Sequence, residues 1–139
     1  MNKDLLIDLS LICLSSLSGI MGILLPYLIN NGSDSGHYSL ETIFPLLRSA
    51  WEGFNPFPSI LIMITVGFGL GLIRPHRWLI LGLASVVLLI ILANIEMHLY
   101  PTSHNLWPLE FALYLLFIAT PTIVGSFVGS RAKKADTKV

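Results

Sequence analysis

Four long segments of this chain are almost free of charged residues. They cover residues 9–29, 57–73, 78–95 and 108–129. A helix needs about 20 apolar residues to cross about 30 Å of hydrocarbon, so each segment has the length of one membrane crossing. Because the bilayer core holds no water, a crossing segment must satisfy its backbone hydrogen bonds internally, as a helix does. The sequence therefore predicts an all-α integral membrane protein that forms a four-transmembrane-helix bundle.

The composition supports the same class. The chain has 139 residues, of which 54% are hydrophobic and 12% charged, whereas soluble domains average about 25% charged residues. We expect a single transmembrane domain over residues 1–139, with outer loops at 30–56 and 96–107 and a cytoplasmic tail at 130–139. The net charge is zero, which gives no reason to expect a nucleic-acid partner. The expected partners are the lipid bilayer and a second copy of the chain or a larger membrane complex.

The basic residues predict the orientation. If both termini share one side of the membrane, every Lys and Arg except Arg48 falls on that side. Cytoplasmic loops carry the excess of Lys and Arg. We therefore place the N- and C-termini in the cytoplasm, with the plasma (inner) membrane as the expected location.

The first outer loop has an amphipathic pattern. Ser39 offers an N-cap and Gly53 a stop, and apolar residues recur at helical spacing between them, ending at Trp51. This pattern is typical of an interfacial amphipathic helix with its indole at headgroup depth. The alternative is a re-entrant segment that lines a path through the membrane.

Small residues recur four apart in three of the predicted spans. The pairs are Ser15/Gly19, Ser18/Gly22, Gly67/Gly71, Gly125/Gly129 and Ser126/Ser130. This spacing lets helix backbones approach closely. It fits either packing within one bundle or a seam between copies.

The richest polar stretch is residues 94–110, between the third and fourth spans. With Tyr114 one turn further on, its candidate site residues are Asn94, Glu96, His98, Tyr100, His104, Asn105, Glu110 and Tyr114. Asn94 and His98 are four apart and should share a helix face, as should Glu110 and Tyr114. Ionisable groups near the membrane are costly and suggest a function.

Four interpretations of this stretch stay open. In a structural interpretation the polar residues cap and anchor helices. In a transport interpretation Asn94 lines a shared path with Ser15, Ser18 and Thr65. In a catalytic interpretation His98, His104 and Glu110 act on a lipid-borne ester or amide, while Asn94, Glu96, Tyr100, Asn105 and Tyr114 bind the substrate. In a metal interpretation His98 and His104 join Glu96 or Glu110, although no HExxH-like spacing is present.

The leading functional hypothesis is a small polytopic membrane protein without its own catalysis, acting as an accessory or oligomeric transport-type component. The alternative is a membrane-embedded hydrolase or acyltransferase at the outer leaflet. No cofactor is expected, because the predicted spans contain no histidine that would ligate a haem.

Overall fold

The computed structural model describes residues 3–31, 54–99 and 107–136. All of its secondary structure within these residues is helical. The elements are α1 (Lys3–Asn31), α2 (Pro56–Ile73), a 3₁₀ turn (Pro75–Arg77), α3 (Trp78–Ala84), α4 (Val87–Leu99), α5 (Trp107–Tyr114), a π-helical turn (Leu115–Ala119) and α6 (Thr120–Asp136). The interfacial helix predicted over residues 39–53 lies outside the described residues.

Among the described residues, four helical segments are long and apolar enough to cross a membrane. They are Lys3–Ile29, Pro56–Ile73, Pro75–Leu99 and Pro108–Ala135. Their outward-facing surfaces are dominated by Leu, Ile, Val and Phe side chains that are 37–72% exposed, as suits contact with lipid rather than water. The predicted helical bundle with four such segments is confirmed.

The beginning and end of α2 follow from its sequence. Asn55 caps the helix, its side-chain oxygen accepting the Phe57 backbone N–H at 3.3 Å, and Pro56 needs no donor in the first turn. At the other end the Arg74 N–H still bonds to Leu70 O at 3.0 Å. Pro75 then ends the helix because it has no N–H to continue the ladder.

The beginning of α1 and the ends of α2 and α6 lie together at one end of the bundle. Arg74 contacts Asp4, and the Lys133 ammonium donates to the Ile73 carbonyl at 3.3 Å. We call this the terminal end, and the opposite one, where Asn55 and Leu99 lie, the loop end. The helices therefore run up, down, up and down.

The closest packing in the bundle is between α2 and α6. A Cβ placed on Gly67 or Gly71 would collide with the backbone of Thr122 or Ser126, and one on Gly125 or Gly129 would collide with α2 backbone carbonyls. The two helices thus meet backbone to backbone through both pairs of glycines. These small residues serve packing within one chain, which is the first of the two interpretations offered by their spacing.

The described part of the chain forms two apolar core clusters. The larger contains Ile23, Met63, Val86, Leu89, Ile118 and Ala119, and the smaller contains Leu11, Leu70 and Leu81. Both draw on α1, α2 and the third candidate span, and the larger also includes the π-helical turn. This shared burial holds α1 and the third candidate span against the α2–α6 pair.

The third candidate span is broken in its middle. Between α3 and α4 the Ser85 and Val86 N–H groups bond three residues back, to Gly82 O at 3.4 Å and Leu83 O at 3.3 Å. Hydroxyls of α1 satisfy carbonyls that the break exposes: Ser15 donates to Leu81 O, and Ser16 to Ala84 O at 2.8 Å. The break is therefore stabilised by a neighbouring helix.

The fourth candidate span contains a π-helical turn directly before its proline. In this turn the Thr120 N–H bonds to Leu115 O, five residues back, and the Thr120 hydroxyl donates to the same carbonyl at 2.8 Å. Pro121 has no N–H to bond four residues back, and π-turns are one way a helix accommodates such a gap. The π-helical turn is therefore how this span accommodates Pro121.

Candidate functional site

Glu96, Glu110 and Tyr114 come together at the loop end. Glu96 is 7% exposed on α4, and Glu110 and Tyr114 lie one turn apart on α5, both half-buried. The negative charges of both carboxylates act on Tyr114. The spacing of Glu110 and Tyr114 predicts that these two share a face, and the structure adds the carboxylate of Glu96 from another helix.

The histidine of α4 lies on the other side of that helix. The helix continues to Leu99, so Glu96 and His98 are helical residues. Asn94 and His98 are both exposed whereas Glu96 is buried, because residues two apart point to opposite sides of a helix. The Asn94 amide donates to the Ile90 carbonyl of its own helix at 2.7 Å.

Three of the predicted site residues, Tyr100, His104 and Asn105, lie outside the described residues. The catalytic set of His98, His104 and Glu110 is therefore present only in part, with His98 exposed and Glu110 half-buried. Within the described part of the chain, no group of three His, Cys, Asp or Glu side chains has the geometry to hold a metal ion.

The hydroxyls considered for a transport path do not share an axis. Ser15 is fully buried and donates to Leu81 O in the interior. Ser18 and Thr65 line a groove on the outside of the bundle, between α1 and α2. Thr65 is exposed and donates to the Leu61 carbonyl of its own helix at 2.8 Å. In one copy of the chain Ser15 therefore lies apart from Ser18 and Thr65, which share the outer groove.

The terminal end carries an ion cluster that the sequence analysis missed. Arg74 pairs with Asp4 at 2.7 Å and with Asp8 at 3.3 Å, and Arg77 pairs with Asp8 at 3.5 Å. The two acids are four apart on α1 and the two arginines three apart, so each pair presents its charges in one direction. This spacing of like charges could have suggested an ion cluster, but the sequence does not show that the beginning of α1 lies beside the end of α2.

The cluster keeps Arg74 charged. Its hydrogen bond to Asp4 raises the pKa of the Arg74 guanidinium above its ordinary value, and the negative charges of Asp8 and Asp4 act in the same direction, opposing desolvation. This group is therefore a cation held beside two aspartates.

Comparison with known protein families, with curated proteins and with solved structures finds no match to this chain.

Proposed function

We propose that this protein is a non-catalytic, oligomeric component of a transport-type assembly in the plasma (inner) membrane, and that its copies associate through the groove between α1 and α2. The observation that carries the proposal is Gly69. A Cβ built on it meets nothing within 4 Å, whereas one on Gly67 or Gly71 would strike the α6 backbone. Packing within one chain therefore accounts for Gly67 and Gly71 but gives no reason for a small residue at position 69.

The surroundings of Gly69 suit a second helix. The groove has a volume of about 280 Å³ and is lined by Leu14 and Ser18 from α1 and by Thr65, Gly69 and Ile73 from α2, among others. Thr65 and Gly69 are four apart, the spacing that lets membrane helices approach closely. Lipid supplies little hydrophobic drive between helices, so such small and hydroxyl-bearing positions on an outer surface favour a helix as neighbour.

The orientation in this proposal follows the basic residues. The terminal end holds Arg74, Arg77 and Lys133, so a cytoplasmic position for both termini agrees with the distribution of positive charge in membrane proteins.

Filling the groove tests the proposal. Gly69→Leu should shift the purified protein in lipid nanodiscs or mild detergent from oligomer to monomer, measured by light scattering during size-exclusion chromatography. Val128→Leu adds one methylene on an outer position of α6 that is 49% exposed, and it should leave the mass unchanged. Cys13, an exposed thiol on α1, provides a second readout through oxidative cross-linking of copies. A wild-type chain that stays monomeric at all concentrations would refute association of copies.

One observation favours a second function, a membrane-embedded hydrolase or acyltransferase at the outer leaflet. The charges of two carboxylates from different helices, Glu96 and Glu110, both act on Tyr114, and such coupling of titratable groups is typical of catalytic sites. Of the two histidines in this alternative, His98 faces away from Glu96 on α4, so His104 would supply the general base. Replacing both histidines by alanine, while folding and assembly are measured, separates the two proposals. If the variant folds and assembles normally and the cell keeps its wild-type phenotype, the catalytic proposal is refuted.

A further inference from the structure

A second cleft lies between the first turns of α1 and the beginning of the third candidate span, at the terminal end. It has a volume of about 160 Å³. Its apolar walls come from Leu5, Leu9, Ile12, Ile80 and Leu81. From Leu5 to Ile12 the helix advances about 10 Å, so the cleft is elongated along the bundle.

The cleft is lined partly by side chains on the outside of the bundle, whereas Leu81 in its lining belongs to the smaller core cluster. Leu5 is 52% exposed, Leu9 48% and Ile80 47%. These side chains continue the apolar outer surface of the bundle, so a molecule can enter the cleft from the surrounding hydrocarbon without crossing a polar barrier.

Charged groups of both signs lie at one end of the cleft. Asp8 and Arg77 belong to its lining, and the Arg77 side chain remains 55% exposed although its Nε contacts Asp8. Asp4, paired with Arg74, is 73% exposed. The two carboxylates and two guanidinium groups are paired at 2.7–3.5 Å. These four groups, which we call the rim, sum to zero net charge and present both signs of charge to a headgroup.

We propose that this cleft binds one phospholipid with a zwitterionic headgroup bearing a primary ammonium, as in phosphatidylethanolamine. An acyl chain lies against the leucine and isoleucine walls, Arg77 binds the phosphate, and the carboxylates of Asp4 and Asp8 accept from the ammonium. Guanidinium–phosphate and ammonium–carboxylate contacts are charge-assisted hydrogen bonds, which are stronger than neutral ones.

The balance of charge selects among lipids. A headgroup with net negative charge would gain from Arg77 but would also face Asp4 and Asp8. A quaternary ammonium has the right charge but no N–H to donate to them. The primary ammonium is the group that satisfies both the charge and the hydrogen-bonding capacity of the rim.

The experiment compares headgroups on the full-length wild-type chain by native mass spectrometry. Phosphatidylethanolamine, phosphatidylcholine and phosphatidylglycerol with identical acyl chains are titrated in a non-ionic detergent. We expect one phosphatidylethanolamine molecule to bind about tenfold more tightly than either other lipid, as the loss of a charge-assisted hydrogen bond implies. Equal binding of all three lipids, or a preference for phosphatidylglycerol, would overturn the proposal whatever the variants show.

Variants locate the site. Arg77→Gln should weaken phosphatidylethanolamine binding about tenfold, and Leu9→Trp should weaken it by occupying the cleft. Lys134→Gln removes a positive charge at the same end of the bundle, from a residue outside the cleft lining, and should have no effect. Asp4→Asn gives the rim a net positive charge and should move the preference toward phosphatidylglycerol. Unchanged phosphatidylethanolamine binding by an Arg77→Gln protein that melts like wild type would contradict the assignment.

Discussion

Alanine at Gly71 should destabilise the bundle, while alanine at Gly69 on the same helix should not. A methyl group at position 71 would meet the carbonyl oxygen, carbonyl carbon and Cα of Ser126, all backbone atoms that cannot rotate away. A methyl group at position 69 meets nothing within 4 Å. The two variants make the same chemical change two residues apart and differ in what the added atom touches.

The magnitude follows from two terms. In a helix interior alanine is favoured over glycine by about 1 kcal/mol, and this term is common to both variants. Overpacking that forces the backbone to shift costs about 1–3 kcal/mol, and it applies only at Gly71. The Gly71→Ala protein should therefore be less stable than the Gly69→Ala protein by about 1–3 kcal/mol, whatever helical structure the denatured state keeps.

The two variants are unfolded in mixed micelles with an increasing mole fraction of sodium dodecyl sulfate. Tryptophan fluorescence and far-ultraviolet circular dichroism then give the unfolding free energy of each variant on the same scale. Gly67→Ala should behave like Gly71→Ala, because its methyl would meet the Thr122 carbonyl. Equal stabilities of the Gly69 and Gly71 variants would refute the backbone contact between α2 and α6.

Three further predictions concern polar side chains. Ser126 Oγ is buried with no hydrogen-bond partner among the described residues, so Ser126→Ala should lose no more than about 0.5 kcal/mol of unfolding free energy, measured in the same assay. Ser15→Ala leaves the Leu81 carbonyl without its donor and should lose about 1 kcal/mol; a loss no larger than that of Ser126→Ala would count against the role of Ser15. Arg74→Gln should lower the melting temperature, and added salt should shrink the difference from wild type because these charges are exposed. Folding raises the pKa of Arg74, so its ion pairs stabilise the folded state fully at every pH below the pKa that Arg74 has in the unfolded chain. This stabilisation is lost only as the pH rises through the higher pKa of the folded state. Melting curves should therefore show no loss of it across neutral pH.

The sequence predicts the helical bundle because the main signal, uncharged segments of membrane-crossing length, needs no knowledge of neighbours. The start of α2 is equally local, since Asn55 and Pro56 act within one turn. The small-residue spacing predicts that helices approach closely but not which ones. Gly67 and Gly69 are two residues apart, but Gly67 packs against the α6 backbone whereas Gly69 has no neighbouring atoms within 4 Å of its Cβ position. The reason is that residues two apart in a helix point to different sides of it.

The candidate site was harder to predict from the sequence, because it also depends on which helices are neighbours. Glu110 and Tyr114 are one turn apart, so their pairing follows from sequence, whereas Glu96 joins them from a different helix. The ion cluster at the terminal end links Asp4 to a residue 70 positions away. Counting basic residues uses Arg74 only to predict the orientation and gives no indication that it pairs with an acidic residue.

Hydroxyl groups show most clearly what a single sequence leaves undecided. Thr65 and Thr122 each donate to the carbonyl four residues earlier in their own helix, the usual solution for a hydroxyl inside a helix. Ser15 lies in an equally apolar helix and donates instead across the bundle to Leu81. The difference is in the acceptor: α3 ends three residues after Leu81, and the break makes that carbonyl available to another helix. No glycine or proline marks Ser85 and Val86, so the break and the serines that stabilise it have to be inferred together, from the packing of α1 against the third candidate span.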